Sequence, residues 1–234
     1  MSKRQALGQH FLKSTEIAKS IVDCANIKKN DIVLEIGTGT GILTPLLCKK
    51  AKAVISIEKD PDLYDKAKAR FAGIKNLELE QGDAFRMDFD FDVLVTNLPY
   101  SESRNAVEWL VQRKFSRAVV MFQKEFAQKL HAKKGRDRKA VSVLAGYCLH
   151  MERLMDVGKG SFQPTPKVDS TVMLLEQENI VPGNLVAAVN RLFSYRRKTV
   201  RGVARQFGID IDSDKRLEDL SDSEIIEIAK KIIR

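Results

Sequence analysis

Apolar residues in the first two thirds of the chain fall into short, β-branched runs separated by stretches of helical period. Asp31 to Ile36, Ala53 to Ile57, Leu77 to Glu80, Phe91 to Thr96, Ala118 to Phe122 and Thr171 to Leu175 each have the length and composition of a strand in a sheet. Between them, helices are predicted from Ile42 to Lys50, Pro61 to Phe71, Arg104 to Lys114, Lys124 to His131 and Val141 to His150, and Val157 lies in or near another strand. An amphipathic helix through Ile17, Ile21 and Val22, capped by Ser14 or Thr15, precedes the first run. Strand and helix in alternation predict an open α/β sheet. Around Gln177 to Gly183 the pattern changes. Only helical period follows, in Leu185 to Phe193, Thr199 to Phe207 and Asp222 to Ile232, and Pro182-Gly183 marks the junction. The expected organisation is an α/β domain over residues 1–178 and a small, all-helical domain over residues 179–234.

The chemistry-bearing residues cluster where the strand runs end. Gly37-Thr38-Gly39-Thr40-Gly41 follows the first run, and glycines at alternate positions let the backbone turn tightly and a ligand approach it closely. The spacing is one residue tighter than the dinucleotide fingerprint and Glu35 stands just before it, which favours a nucleoside-type ligand over a pyrophosphate. Glu58 ends the next run, about 20 residues on, where a carboxylate can accept from both ribose hydroxyls; alternatively it is a solvated strand end. Asp83 follows the third run and is placed to accept from an exocyclic amine. Gly37, Glu58 and Asp83 are therefore expected along one edge, and the ordered series is more specific than any of its members.

Asn97-Leu98-Pro99-Tyr100 closes the fourth run. Pro99 cannot continue a ladder, so an amide, a backbone carbonyl and an aromatic face arrive together at a strand's carboxyl end, where open α/β sheets bind ligands. That group suits a flat, nitrogen-bearing ring such as adenine in RNA. A turn in which Asn97 merely caps backbone groups is the alternative. Phe162 lies in a loop bracketed by glycine and proline, Gly160 to Ser170, and either offers a stacking face or packs in the core. The run Lys133-Lys134-Gly135-Arg136-Asp137-Arg138-Lys139 reads as a solvated loop or as a grip on phosphates.

Composition narrows the partners. The 234-residue chain is 44% hydrophobic, enough for a proper core, and its formal charge of +9 favours an acidic partner, nucleic acid first. Arg191, Arg196, Arg197, Lys198, Arg201 and Arg205 carry no acid among them, a one-signed patch that a phosphate backbone explains better than solubility does. No apolar stretch approaches the roughly 20 residues of a membrane span and the start lacks a signal-peptide core, so a cytoplasmic protein is expected. Cys24, Cys48 and Cys148 and the three histidines are scattered, which argues against a disulfide framework and against a metal site.

Together these residues resemble the small-subunit ribosomal RNA adenine N6,N6-dimethyltransferase family over nearly the whole chain. The resemblance rests on Leu7-Gly8-Gln9-His10-Phe11-Leu12, Glu35 to Gly41, Asn97 to Tyr100, Phe162 to Ser170 and Arg196-Arg197-Lys198-Thr199. It implies a class I, Rossmann-like S-adenosylmethionine-dependent methyltransferase, with a seven-stranded sheet and a helical carboxyl-terminal domain, that acts as a monomer on small ribosomal subunit RNA. His10 and Leu12 would then approach the methionine end of the cofactor, Gly37 and Gly39 its backbone, Glu58 its ribose and Asp83 its adenine. Asn97 would bridge cofactor and target, with the Leu98 carbonyl, Tyr100 and Phe162 also holding the target base, and Arg196, Arg197, Lys198 and Arg201 the RNA. The chain departs from the family in having His10 where asparagine is common and in a short helical part. Two rivals remain: an enzyme dimethylating large-subunit RNA, and a non-catalytic nucleic-acid-binding or ribosome-assembly factor on the same scaffold.

Overall fold

The structure, a computed structural model, describes residues 9–233, so Leu7 and Gly8 of the opening motif lie outside the described residues. The chain divides into two compact units. The first comprises the chain up to Ala106, Lys114–Lys124 and Glu152–Glu176, and the second Val107–Arg113, Glu125–Met151 and the chain from Gln177 onward.

Among the described residues there are nine strands: β1 (Phe11–Leu12), β2 (Ile32–Ile36), β3 (Ala53–Glu58), β4 (Leu77–Gln81), β5 (Val93–Thr96), β6 (Arg117–Gln123), β7 (Leu149–Val157), β8 (Phe162–Gln163) and β9 (Ser170–Gln177). Seven of them make one sheet in the order β4-β3-β2-β5-β6-β9-β7. The neighbours from β4 to β6 are parallel, with Leu34 opposite both Ile55 and Leu94, and β9 runs antiparallel to β6. The central strands are buried on both faces, which is why they read as unbroken apolar runs: Val33, Leu34, Val93, Leu94, Val119 and Met121 are all nearly inaccessible. Edge strand β7 alternates polar and apolar residues instead, and only its end at Val157 was legible.

From β2 the chain moves outward through β3 and β4, then returns to the other side of β2 for β5. Strand order therefore reverses between β2 and β5, and a crevice opens beyond their carboxyl ends, the usual ligand site of such sheets. Helices α1 (Thr15–Cys24), α2 (Thr44–Cys48) and α3 (Pro61–Phe71) belong to this unit. Ser14 caps α1 and Asp60 caps α3, each side-chain oxygen accepting from backbone amides of the first turn. Helix α2 starts two residues later and ends earlier than the predicted helix, because Gly41 still belongs to the turn.

Two contacts were not legible. β1 pairs antiparallel with β8, Leu12 opposite Phe162, a ladder too short to carry a period. The pairing corrects the expectation that Phe162 offers a stacking face. Its ring is 0% exposed and packs in the core with Leu12, Ile21 and Leu43. Burial of such a ring stabilises the fold by roughly 1.5–3 kcal/mol.

The second unit contains α5 (Lys124–Leu130, from Glu125 on), α6 (Ala140–Cys148), α7 (Gly183–Phe193), α8 (Val200–Gln206) and α9 (Asp222–Ile232), and α4 (Ser103–Leu110) contributes its last residues. The expected boundary at residue 178 lies beside Gln177, but residues 107–113 and 125–151, expected in the first domain, belong here. The reason is packing. Helices α7 and α9 carry apolar stripes (Leu185, Val189 and Leu192; Ile225, Ile226 and Ala229), and they pack against each other and against α6, whose Val143, Leu144 and Ala145 are fully buried.

Candidate functional site: the crevice at the strand-order reversal

The glycine run follows β2 and forms the floor of the crevice. Gly37, Gly39 and Gly41 all have positive φ (82°, 57° and 73°), a region costly for other residues. Their roles differ. A Cβ on Gly41 would lie 2.3 Å from the Phe71 ring, so this glycine permits close packing on α3. A Cβ on Gly37 would meet no atom within 4 Å, because it would project into open space.

The acids expected on this edge are there, and each is already oriented. Glu58 is 4% exposed, and its two oxygens accept from the amides of Gly39 at 2.7 Å and Asp60 at 2.8 Å. Each oxygen keeps a lone pair for a ligand hydroxyl. Asp83 accepts from Phe85 N at 3.2 Å and from Lys59 Nζ at 2.9 Å, and the Lys59 ammonium holds its carboxyl below the usual range. Glu35 is 1% exposed, and its Oε2 accepts from Ser56 Oγ at 2.6 Å and Thr44 Oγ1 at 2.8 Å. Burial pushes its pKa up to about 7, with Glu58 adding to the rise. The sequence flagged Glu35 but gave no sign of its hydroxyl partners, which come from β3 and α2.

Across the crevice, Thr96 Oγ1 ties β5 to β2 through Ile36 O at 2.6 Å, and Asn97 follows. Among the described residues, no hydrogen bond to protein engages the Asn97 carboxamide, so the capping alternative does not hold. Leu98 is buried, and with Asn97 and Pro99 it lines the cavity. Tyr100 does not line it. Its hydroxyl shares a 2.6 Å hydrogen bond with Ser170 Oγ and its ring lies against His10, with centroids 5.5 Å apart. Burial raises the Tyr100 pKa.

One cavity of about 370 Å³ joins these groups, a size ordinary for small-molecule sites. Gln9, His10, Leu12, Gly37, Gly39, Glu58, Asp83 and Asn97 all line it, whereas Phe162 does not. The residues fit a nucleoside bearing an amino acid. Space stands where a Gly37 side chain would be, a paired carboxylate has lone pairs to offer diol hydroxyls, and Gln9 Oε1 is buried with no partner among the described residues, an acceptor that a ligand donor would satisfy. Among the described residues there is no group of three side chains able to hold a metal, and no helix is long and apolar enough to cross a membrane.

The basic residues of the second unit are less uniform than their sequence implied. Arg196 pairs with Glu218 at 3.6 Å, and Arg201 with Asp212 at 2.5 Å and Asp214 at 3.3 Å. The patch expected to be one-signed is therefore partly neutralised by acids from the following loop. Among the described residues Arg197 has no ion-pair partner, and Lys198 lies over the Tyr195 ring at 5.0 Å. Arg138, from the run read as a loop, is 1% exposed. It donates to Glu218 O at 2.9 Å, Leu220 O at 2.5 Å and Asp222 Oδ1 at 2.7 Å, so it staples the unit and is not available to phosphates.

Residues 1–233 match the family described as "Ribosomal RNA adenine dimethylase". The probable ribosomal RNA small subunit methyltransferase A of Pyrococcus abyssi is 36% identical over 202 residues, spanning 86% of this chain and 75% of that protein. Its counterpart in Methanosarcina mazei is 36% identical over 250 residues, spanning 96% and 91%. Among solved structures, a dimethyladenosine transferase from Plasmodium falciparum superposes with a TM-score of 0.80 at 28% identity, covering 96% of this chain and 98% of that one. The 23S rRNA methyltransferase ErmE superposes at 0.68 with 22% identity, over 96% of this chain and 100% of its own, and shows the shared fold alone. The match spans the glycine run, the acids at the strand ends and the asparagine loop alike, and the chain belongs to the ribosomal RNA adenine dimethylase family.

Proposed function

We propose that the crevice binds S-adenosylmethionine beside an adenine everted from small-subunit ribosomal RNA, and that the chain directs two methyl groups onto N6 of that base in ribosome biogenesis. The chain is a methyltransferase by family, and the small subunit is the RNA named for the relatives from Pyrococcus abyssi and Methanosarcina mazei. The single observation that carries the reading is the Asn97 carboxamide at the cavity wall beside Leu98, engaged by no hydrogen bond among the described residues.

An exocyclic adenine nitrogen is a poor nucleophile, because its lone pair is delocalised into the ring. Hydrogen bonds from the amine to Asn97 Oδ1 and Leu98 O favour the pyramidal geometry that frees that pair. Glu58 accepts from the ribose hydroxyls, Asp83 from the cofactor's adenine amine, and the Gly37-Gly39 turn leaves room for the chain between them. His10 and Leu12 close the methionine end. The bound cofactor supplies a methyl group activated by a sulfonium centre. Transfer of that methyl would neutralise the charge, so the contribution asked of the cavity wall is positioning. Eversion of the base costs a few kcal/mol, which phosphate contacts from Arg197 and Lys198 help to offset. Tyr100, held by Ser170, braces His10 from outside the cavity and does not stack on the base, and Phe162 supports that wall from the core.

The reading differs from that of a non-catalytic factor in needing every cavity acid, and all of them are present. Labelled S-adenosylmethionine incubated with immature small or large subunits tests it. The expected result is dimethyladenine in small-subunit RNA, abolished by Asn97→Ala. Label confined to large-subunit RNA, or undiminished in the variant, would contradict it.

A further inference from the structure

Glu35 stands in the cavity wall as a carboxyl group without a counter-charge. It lies on β2 just before the glycine turn, is 1% exposed, and among the described residues no lysine, arginine or histidine pairs with it. Its two hydroxyl donors, Ser56 and Thr44, both reach Oε2, at 2.6 and 2.8 Å, which leaves Oε1 without a partner among the described residues. Ser56 gives its one hydrogen to Glu35, so in the 2.7 Å contact between Ser56 Oγ and Thr38 Oγ1 it is Thr38 that donates. A buried chain of hydroxyls thus runs from the cavity-lining turn to the carboxyl group.

The surroundings favour a proton on that group. Glu58, from β3, is a second carboxylate on the same cavity and adds to the rise in the Glu35 pKa. Cys48, from α2, is a thiol that burial pushes up to about 11, with Glu35 adding to that rise, so it is neutral. Strand β5, Val93–Thr96, brings no titratable side chain. Elsewhere on the wall Lys59 is committed to Asp83 at 2.9 Å, His10 Nδ1 lies 2.8 Å from Pro164 O, Asp60 caps α3 and Glu102 accepts from Asn105. Burial beside another carboxylate, with no cation to offset it, disfavours the charged form, and the pKa of about 7 follows from that.

We infer that Glu35 holds a proton in the ligand-free protein, releases it to solvent as S-adenosylmethionine enters, and regains one after the methyl has left, so that the crevice prefers the donor to the product. This rests on the proposed reading of the site. S-adenosylmethionine carries a sulfonium, an ammonium and a carboxylate and is a net cation, whereas S-adenosylhomocysteine lacks the sulfonium and is net neutral. An ionised Glu35 is stabilised by the first and gains far less from the second, and a ligand shifts an equilibrium only by its differential interaction with the two states. The sign follows. Below about pH 7 the donor must ionise Glu35 as it binds, so donor affinity falls as pH drops; above it the group is already charged and affinity levels off.

Titration calorimetry of the wild-type protein in phosphate and in Tris at one pH counts the protons exchanged with each ligand. At about pH 6.5 the expected release is roughly half a proton or more with S-adenosylmethionine and close to none with S-adenosylhomocysteine. From about pH 5.5 upward, donor affinity is expected to rise by up to roughly tenfold per pH unit and to level off near 7, while product affinity stays level. Glu35→Gln, which keeps an acceptor for both hydroxyls, is expected to lose both the proton release and the slope. Equal proton counts for the two ligands, none for either, or a release that persists in the variant overturns the proposal. Failure of both ligands to bind the wild-type protein would instead remove the underlying reading of the site, and this proposal with it.

Discussion

The amide of Gly39 donates a 2.7 Å hydrogen bond to Glu58 Oε2, so the ligand-facing turn after β2 and the carboxylate at the end of β3 orient one another. Glu58 Oε1 takes the Asp60 amide in the same way. Glu58→Gln leaves one of those amides facing an NH₂ group, and hydrogen bonds to charged groups are worth about 1.5–3 kcal/mol. The expected outcome is a fall of about tenfold or more in S-adenosylhomocysteine affinity by calorimetry. Affinity equal to the wild type would remove Glu58 from the binding site.

Glu35 makes stability depend on pH. Its pKa rises from an ordinary 4.5 to about 7 on folding, because burial disfavours the charged form. The folded state therefore binds more protons than the unfolded chain between those values, and stability falls as pH rises from 4.5 to about 7. A shift of that size corresponds to roughly 3–4 kcal/mol. Urea titrations of Glu35→Gln, which keeps an acceptor for Ser56 and Thr44, are expected to lack that slope.

Gly37 and Gly41 separate binding from folding. Both have positive φ, so alanine strains either by about 1–2 kcal/mol, but only at Gly41 does a Cβ collide with Phe71, at 2.3 Å. Gly41→Ala is expected to lose a further 1–3 kcal/mol or so in denaturant melts, as overpacked sites do. Gly37→Ala is expected to lose less stability and more cofactor affinity.

The neutralised arginine and the free one differ in what RNA binding should show. Removing one cation from a phosphate lowers the salt slope of log affinity by roughly one. Arg197→Ala is expected to lower it by about that much, and Arg201→Ala, already paired with Asp212 and Asp214, to leave it nearly unchanged. Arg138→Met should instead destabilise the second unit by about 1–3 kcal/mol, since the carbonyls of Glu218 and Leu220 lose their buried donor while Asp222 keeps Lys133 at 2.7 Å.

Legibility followed burial and distance along the chain. Strands β2, β5 and β6 were visible because both faces are covered, and Glu58, Asp83 and Asn97 because each stands at or just past the end of a strand. β7 was obscured by the polar residues an exposed edge requires. The Phe162 ring was misjudged because the two-residue ladder that turns it inward has no periodicity. His10 and Pro164 meet across 154 residues, and the acids that neutralise Arg201 come from a later loop, contacts that neither spacing nor composition encodes. Arg138 looked like its basic neighbours, and only the carbonyls at Glu218 and Leu220 set it apart.

A crystal structure with a non-reactive analogue of S-adenosylmethionine tests the arrangement most directly. The expected density has the purine amine on Asp83, the diol on Glu58 and the group replacing the methyl directed at the Asn97 carboxamide. An analogue bound outside this cavity, or inside it with Asn97 turned away from the transferable group, would contradict the account.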